Sequence, residues 1–578
     1  MKLLLLALNS KFIHSSLGIY SLGKYCQGLG AEIVLQEYTI HEPLSNVLAG
    51  IAEINPDILG ISCNIWNIEE NKKIIQEIKK ILPQVLLLLG GPEVLMEPLD
   101  FMLQQPSVDY IITGEGELPL KRLLQALLNG QTTKNIPNLA WREEEQLGYE
   151  EKPLEVLELN EIPFAYDAEL MAKLKNKIIY YESSRGCPFQ CSYCLSSISR
   201  KVRFLSLQRL RQEIEFFIAH KVAQVKFVDR TFNASKERTK EVLRCLLQFK
   251  SEQINFHFEI AVDLLDKEGM ELLASAPKGF FQLEIGIQTI IPEELVAIER
   301  TTDIKQIASN IAMLQKARNC NLHVDLIAGL PLQTYESFLI SLEWALRLGV
   351  ECVQLGFLKV LKGAPLRKQA VKYGLQYLNT APYEILTTAQ MNFTEISALK
   401  NIELAVDLFY NKQRLANFWR LFIPTRANAV ACFCILAVMF KQEQGAQLSV
   451  ARQFEFIVSM VEKSCTIEEQ IQWNEVLRYD WRINQGSQAY PSTLQNGEAR
   501  IKLETWPEIM SYLREQRSKD QGSYKNVLAE HFQYTFIFDN TGILTELRKK
   551  PSIMLFDCSQ EKTELGRIKV FLEAQEEK

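Results

Sequence analysis

Five short runs near the start of the chain are almost continuously apolar: KLLLLAL (2–8), AEIVLQEY (31–38), DILGISCN (57–64), QVLLLLG (84–90) and VDYIITG (108–114). A strand with one wet face alternates apolar and polar residues, whereas a strand apolar at successive positions has both faces covered. The stretches between the runs carry helical spacing, as at Ile68, Ile74, Ile75, Ile78 and Ile81. This alternation predicts an open parallel sheet with helices packed on it, and ligands on such sheets lie outside the carboxyl ends of the strands.

Those ends are unusual here. Ser62-Cys63-Asn64-Ile65-Trp66 follows the third run, Gly90-Gly91-Pro92-Glu93 the fourth, and Gly114-Glu115-Gly116-Glu117 the fifth. Glycine lets a backbone approach a flat or phosphate-bearing ligand closely. Any one of these loops alone reads as a tight strand-to-helix turn. Three on one edge point to a ligand rim, and Trp66 is a wall candidate whose alternative is a ring packed under the sheet edge.

The densest chemical signal comes later, in Ser183-Ser184-Arg185-Gly186-Cys187-Pro188-Phe189-Gln190-Cys191-Ser192-Tyr193-Cys194. A closed structural zinc site takes four ligands, and the next candidates, His220 and Cys245, are distant in sequence. Three thiolates suit a [4Fe–4S] cluster with one iron left open. The other nine cysteines are scattered, and disulfides are not expected in a reducing compartment.

A second alternating series surrounds this loop: KIIYYESSRG, AQVKFVDR, NFHFEIAV, FFQLEIGIQT, LHVDLIAGL and ECVQLGFLKV, with helical segments between. Six βα repeats over about 200 residues suggest a partial or full parallel barrel. Several runs end in polar residues: Asp229 in VDRTFN, Glu259, Glu284 and Gln288 in EIGIQT, Asp325 in DLIAGLP, and Gln354 in QLGFLKV. For each carboxylate a barrel-rim salt bridge is the plainer alternative. His323 reads as a satisfied strand histidine.

The cysteine loop and these strand ends strongly resemble the radical S-adenosylmethionine (SAM) superfamily. The resemblance implies that Cys187, Cys191 and Cys194 hold the cluster. SAM chelates the open iron and is cleaved reductively to a 5′-deoxyadenosyl radical. Tyr193, Asp229, Glu259, Glu284, Gln288, Asp325 and Gln354 become SAM contacts. The open sheet ahead of the barrel, with GGPEV and GEGE loops, looks like the cobalamin-binding domain of B12-dependent radical SAM proteins. NSKFIHSSLG (9–18) and the C-terminal region resemble the branch carrying a C-terminal domain of unknown function. Ser62, Asn64, Trp66, Gly90, Gly91, Pro92, Glu93, Gly114, Glu115, Gly116 and Glu117 are then cobalamin contacts. The Asp-x-His-x-x-Gly motif of classical B12 domains is broken: His14 is followed by Gly18, with Phe12 in the Asp position. A cobalamin site without a histidine ligand below the metal is therefore expected.

The expected architecture is α/β: residues 1–135 a Rossmann-like B12-binding domain, 136–176 a connector with prolines and a solvated Glu143-Glu144-Glu145 turn, 177–375 a partial (β/α)6 radical SAM core. Residues 376–578 form a mainly helical domain with Trp419, Trp473, Trp481 and Trp506, ending in short strands. C-methylation of an unactivated carbon is the function the resemblance implies first, with cyclisation or rearrangement as the alternative. An electron donor such as flavodoxin or ferredoxin is implied as a partner. A tRNA methylthiotransferase would need a second cluster on three N-terminal cysteines, and only Cys26 and Cys63 are available. A non-catalytic iron–sulfur redox or scaffold protein is the remaining alternative. Of 578 residues, 64 are Lys or Arg and 70 Asp or Glu, a net charge of −6 that argues against a stable nucleic-acid partner. The opening MKLLLLAL imitates a signal peptide but lacks a small-residue cleavage site, and no apolar run reaches the roughly 20 residues of a membrane span. A cytoplasmic protein without a membrane partner is expected.

Overall fold

The computed structural model describes residues 1–150, 156–198, 200–443, 448–494, 500–501, 527–539, 542–558 and 569–575. The chain divides into two compact units, Met1–Thr334 with Phe357–Phe393, and Tyr335–Gly356 with Thr394–Lys578.

The first unit opens with β1 (Lys2–Asn9), α1 (Leu17–Tyr25), β2 (Glu32–Thr39), α2 (Leu44–Ile54), β3 (Ile58–Ser62), α3 (Ile68–Ile81), β4 (Leu86–Gly90), α4 (Pro98–Gln104), β5 (Tyr110–Ile112) and α5 (Glu117–Leu128). The five strands are parallel in the order β2-β1-β3-β4-β5. Leu3 to Leu8 are buried on both faces of β1, as their unbroken apolar run requires. β2 is the edge strand and only half-buried, which accommodates Glu32, Gln36 and Glu37. In α3, Ile68, Ile74, Ile75 and Ile78 form the buried stripe, each contributing about 1.5–3 kcal/mol on burial. Glu69 and Glu70 in its first turn and Lys79 and Lys80 in its last complement the helix dipole. The order places a topological switch between β1 and β3, so the loops after them flank the crevice where such sheets hold ligands.

Part of the segment expected as a connector is structured differently. β6 (Leu139–Glu143) and β7 (Gln146–Tyr149) form a hairpin that extends the sheet antiparallel to β5. Leu139, Ala140 and Trp141 are buried in it, and that burial outweighs the proline-rich, acidic composition around them. The acidic run is the hairpin turn, with Glu144 at a positive φ of 54°.

The barrel strands of this unit are β8 (Ile179–Tyr181), β11 (Gln224–Phe227), β12 (Asn255–Ile260), β13 (Phe281–Gln288) and β14 (Asn321–Ala328), parallel and hydrogen-bonded in that order. Between β8 and β11 lies a two-stranded ribbon, β9 (Ser184–Arg185) paired with β10 (Arg203–Phe204), which flanks the cysteine loop. Residues along β13 alternate in burial. Phe281, Leu283, Ile285 and Ile287 are buried, while Gln282, Glu284, Gly286 and Gln288 remain partly open. Period-two patterning therefore puts the polar set on one face of the strand and the apolar set on the other. The apolar layer is dense in rings, with Phe232 stacked on Phe258 at 4.0 Å and Phe258 4.7 Å from Phe227.

The second unit contains the helix Tyr335–Arg347, the strand Cys352–Phe357 as far as Gly356, and a helical series including Ala416–Thr425, Val430–Gln442, Val450–Ser464 and Ile467–Gln485. Trp419, Phe418, Phe422, Phe433 and Trp473 form its ring-rich core. Short antiparallel strands follow, Val527–Phe532 pairing with Ser552–Asp557. Trp506 lies outside the described residues.

Candidate active site

The cysteine loop is anchored from below by a buried carboxylate. Asp229, just past β11, accepts the backbone N–H groups of Ser183 at 2.7 Å and Ser184 at 3.0 Å, and the Ser183 hydroxyl. Asp229 is 1% exposed, and burial pushes its carboxyl up to about 6 against the pull of those donors. The sequence suggested a SAM contact here. In the structure both Asp229 oxygens serve the start of the cysteine loop, and the side chain does not line the cavity beside it.

Further contacts fix the rest of the loop. Ser192 donates its N–H to Ile298 O at 2.9 Å and accepts the N–H of Leu366 at 2.7 Å. Ser196 N donates to Cys194 Sγ at 3.4 Å, and Thr231 Oγ1 lies 3.7 Å from Cys187 Sγ. Arg300 donates to Cys191 Sγ at 3.5 Å and to the Gly286 carbonyl. No motif pointed to Arg300; it lies in a loop after a short helix and reaches the cysteines only through the fold.

Cys187, Cys191, Tyr193 and Cys194 line a cavity of about 270 Å³ together with Glu259, Glu284, Gly286, Gln288, Arg300 and Asp325. Gln288 has a positive φ of 71°, and the register of β13 on β14 shifts between Gly286 and Gln288. A Cβ on Gly286 would lie 2.4 Å from Gln288 Nε2, so glycine is required for the Gln288 side chain to sit there. Gln354 is exposed on the strand Cys352–Phe357 of the second unit.

The electrostatics of this cavity are uneven. Glu284 accepts Lys226 Nζ at 2.8 Å, and His257 Nε2 lies 2.9 Å away, off the hydrogen-bonding axis. Proximity to His257, then to Lys226, pulls the Glu284 carboxyl down to about 2 despite burial. Its fixed negative charge acts on its neighbours. Burial, then Glu284 and Glu259, pushes Asp325 up to about 8, and burial and Glu284 raise Glu259. Asp325 Oδ1 is buried without a hydrogen-bond partner. His323 is lowered by burial and lies 3.4 Å from Gln282 Nε2, the satisfied strand histidine expected from sequence.

A larger cavity of about 780 Å³ lies between the carboxyl edge of the N-terminal sheet and the barrel mouth. Ser62, Asn64, Trp66, Glu115, Gly116 and Glu117 line it from the sheet, with Asn9 at the end of β1 and Ser10, His14, Ser15 and Ser16 after it. Tyr180, Lys226, Arg230 and Glu259 line it from the barrel. The segment 162–166, read as connector, forms another wall. Trp66 is 49% exposed and donates Nε1–H to Leu8 O at 3.0 Å, so its ring stands at the cavity wall rather than under the sheet. His14 Nδ1 lies 2.7 Å from the Tyr180 hydroxyl, tying the loop after β1 to β8.

Not every predicted rim residue reaches this cavity. Gly90, Gly91, Pro92 and Glu93 do not line it. Gly91 has φ 116°, and a Cβ there would lie 2.4 Å from the Cys63 carbonyl oxygen, so its glycine serves loop-on-loop packing. Glu93 is buried and accepts the Tyr383 hydroxyl at 2.7 Å. Gly114 also stays off the wall, next to Asn138. Glu115 and Glu117 reach the wall, but their carboxylates are bound by arginines. Cys26 and Cys63 are core residues whose thiols burial pushes up to about 12.

The donor sets fit the implied groups. Three cysteines on one loop face one cavity and leave its other side to a ligand, as a cluster with an open iron requires. Glu259, Glu284 and Asp325 beside them repel one another and leave an orphaned oxygen, an environment relieved by a cation such as a sulfonium. Hydroxyl and amide groups of Ser10, Ser15, Ser16, Ser62 and Asn64 rim the larger cavity at the switch point, where a macrocycle with amide side chains would be held.

Family models agree with this layout. The radical SAM superfamily model matches residues 181–345, and a B12-binding domain model matches 3–124. The chain is a radical SAM protein with a B12-binding domain. A third model, a protein of unknown function (DUF4080), matches 371–556. An uncharacterized methyltransferase of Pyrococcus horikoshii is 26% identical over 340 residues, covering 57% of this chain and 73% of that protein. The cobalamin-dependent radical SAM methyltransferase TokK of Streptomyces tokunonensis is 27% identical over 354 residues, 58% of this chain and 51% of that one. This radical SAM protein thus spans about three quarters of the first relative and half of the second. Among solved structures, the radical SAM methyltransferase TsrM of Kitasatospora setae, with cobalamin and a [4Fe–4S] cluster bound, has a TM-score of 0.57 at 16% identity, covering 83% of this chain and 99% of that one. The cobalamin-dependent SAM radical enzyme OxsB with aqua-cobalamin gives 0.59 at 15% identity, covering 91% and 82%. At such identities these structures establish the shared fold. No helix among the described residues is long and apolar enough to cross a membrane.

Proposed function

We propose that this radical SAM protein reductively cleaves SAM and, with cobalamin, methylates an unactivated carbon of its substrate. The observation that carries the reading is that Arg230 and Glu259 line both cavities, so the cysteine-lined site and the sheet rim adjoin at these two side chains. When bound, the cluster supplies one electron at an open iron, and cobalamin supplies a cobalt that carries methyl. A donor such as flavodoxin or ferredoxin would deliver the electron in a cytoplasmic setting.

The chain's own residues do the positioning. Cys187, Cys191 and Cys194 hold iron, and the Arg300 guanidinium offsets thiolate charge at Cys191. Glu259, Glu284 and Asp325 receive the cationic portion of SAM, with Tyr193 and Gln288 bounding it. Ser62, Asn64, Trp66 and Gly116 hold the cobalamin face. Walls from both domains limit water and stray hydrogen donors at the reacting carbon.

The test is anaerobic reconstitution with iron, sulfide and cobalamin, followed by reduction and addition of SAM. The expected products are 5′-deoxyadenosine and, stoichiometric with bound cobalamin, S-adenosylhomocysteine. Release of 5′-deoxyadenosine with no cobalamin-dependent S-adenosylhomocysteine would refute the methyl-transfer reading.

Asp325 gives a pH prediction. A bound cation favours the ionised carboxylate, so SAM binding expels the Asp325 proton wherever free protein holds it, below about pH 8. By linkage, SAM affinity should rise with pH up to about 8 and then level, by at most about tenfold per pH unit. Asp325→Asn should flatten that slope, as measured by SAM titration of reconstituted protein from pH 6.5 to 9. An unchanged slope in the variant would remove Asp325 from the site.

A further inference from the structure

Arg185 and Arg203 stand directly opposite each other across β9 and β10, one on each arm of the segment that carries the three cysteines. Like charges directly opposed on an antiparallel pair repel. Here one carboxylate resolves the repulsion, and it comes from the other domain. Glu115, in the GEGE loop after β5, accepts Arg185 Nη1 at 2.9 Å with one oxygen and Arg203 Nη2 with the other. Glu117 adds a bond to Arg185 at 2.9 Å, and Glu182 braces the same guanidinium at 2.8 Å. Arg203 is 5% exposed, and its other contact is the Leu157 carbonyl.

We propose that Glu115 is a positioning residue for the iron–sulfur cluster, a clamp by which the N-terminal sheet holds both arms of the cysteine loop through Arg185 and Arg203. Arg185 is two residues before Cys187, so its placement sets where the first thiolate points. The clamp is built from the rim of the sheet's ligand edge. It therefore links the order of the cysteine loop to the domain that faces it, and it gives Glu115 and Glu117 a task other than contact with cobalamin. Removing the Glu115 charge would leave buried Arg203 without a carboxylate partner, opposite an Arg185 still held by Glu117 and Glu182. The geometry also explains why the loop carries glutamates at two positions: Glu117 orients Arg185 while Glu115 spans the pair.

The inference rests on the cluster assignment, but not on the reaction proposed above. The experiment uses the full-length reconstituted protein and follows anaerobic iron release to a chelator, with the EPR spectrum of the reduced cluster and cobalamin affinity read in parallel. Glu115→Gln should release iron about tenfold faster and alter the EPR line shape, with cobalamin affinity retained. Arg203→Met should do the same from the other arm, and the double variant should be no worse than the more severe single one. Glu115→Asp should recover part of the loss. Unchanged iron release and EPR in both single variants overturns the clamp. So does a loss of cobalamin affinity at unchanged iron release, which would return Glu115 to the ligand. If parent protein takes up no iron, the cluster assignment itself falls and the clamp falls with it, whereas failure of methyl transfer alone leaves the clamp standing.

Discussion

Cys191→Ala should abolish SAM cleavage, with 5′-deoxyadenosine formation falling by at least about a thousandfold, because the route for the electron is lost rather than slowed. Cys187→Ala and Cys194→Ala should do the same. The three thiols line one cavity, and Cys191 is additionally held by Arg300, so no other cysteine is positioned to substitute. Parent protein should take up about four irons on anaerobic reconstitution. Cys63→Ala is the control. Cys63 is buried in the N-terminal core and its thiol is pushed up to about 12, so SAM cleavage should be unaffected. Product analysis after reduction decides the matter, and full cleavage by Cys191→Ala would remove the cluster assignment.

The second large effect is expected at Asp229. Asp229→Leu deletes a buried acceptor shared by two backbone N–H groups and the Ser183 hydroxyl, leaving all three without a partner. The expected cost is about 3–5 kcal/mol of stability, with iron content falling alongside it. Asp229→Asn retains an acceptor oxygen and turns an N–H₂ toward the Ser183 hydroxyl, which can accept. That variant should fold, hold its cluster, and bind SAM within about threefold of the parent, since a change under 1 kcal/mol is expected where no ligand contact is lost. Thermal denaturation and iron analysis read the first variant, and SAM titration reads the second. A large loss of SAM affinity in a folded, iron-loaded Asp229→Asn protein would restore the direct SAM contact that the sequence suggested.

What could be read in the sequence followed from local physics. Unbroken apolar runs identified β1, β3 and β4 because their burial leaves no room for alternation, and the isoleucine spacing of 68–81 identified α3. The cysteine loop was legible because its three ligands are close together in sequence. What was not legible depended on residues far apart in the chain. Arg300 meets Cys191 across 109 residues, and the Glu115–Arg203 pair spans 88. Neither belongs to a local pattern. The β6–β7 hairpin was hidden by composition, since prolines and an acidic run surround a short buried segment. Gly91 and Glu93 have the residue types of a ligand loop and instead pack against Cys63 and Tyr383. Asp229 sits at a strand end where a ligand contact is plausible, yet its burial commits it to the loop below the cysteines.

Arg230 and Glu259 line both the cavity at the proposed cobalamin rim and the one at the cysteine loop. The decisive measurement is EPR of protein loaded with both cofactors, comparing the cobalt(II) signal before and after reduction of the cluster. A paramagnetic cluster across adjoining cavities should broaden the cobalt(II) signal and speed its relaxation, and Cys191→Ala, which removes the cluster, should abolish the effect. A cobalt(II) signal in the parent that is identical with oxidised and reduced cluster would contradict the account.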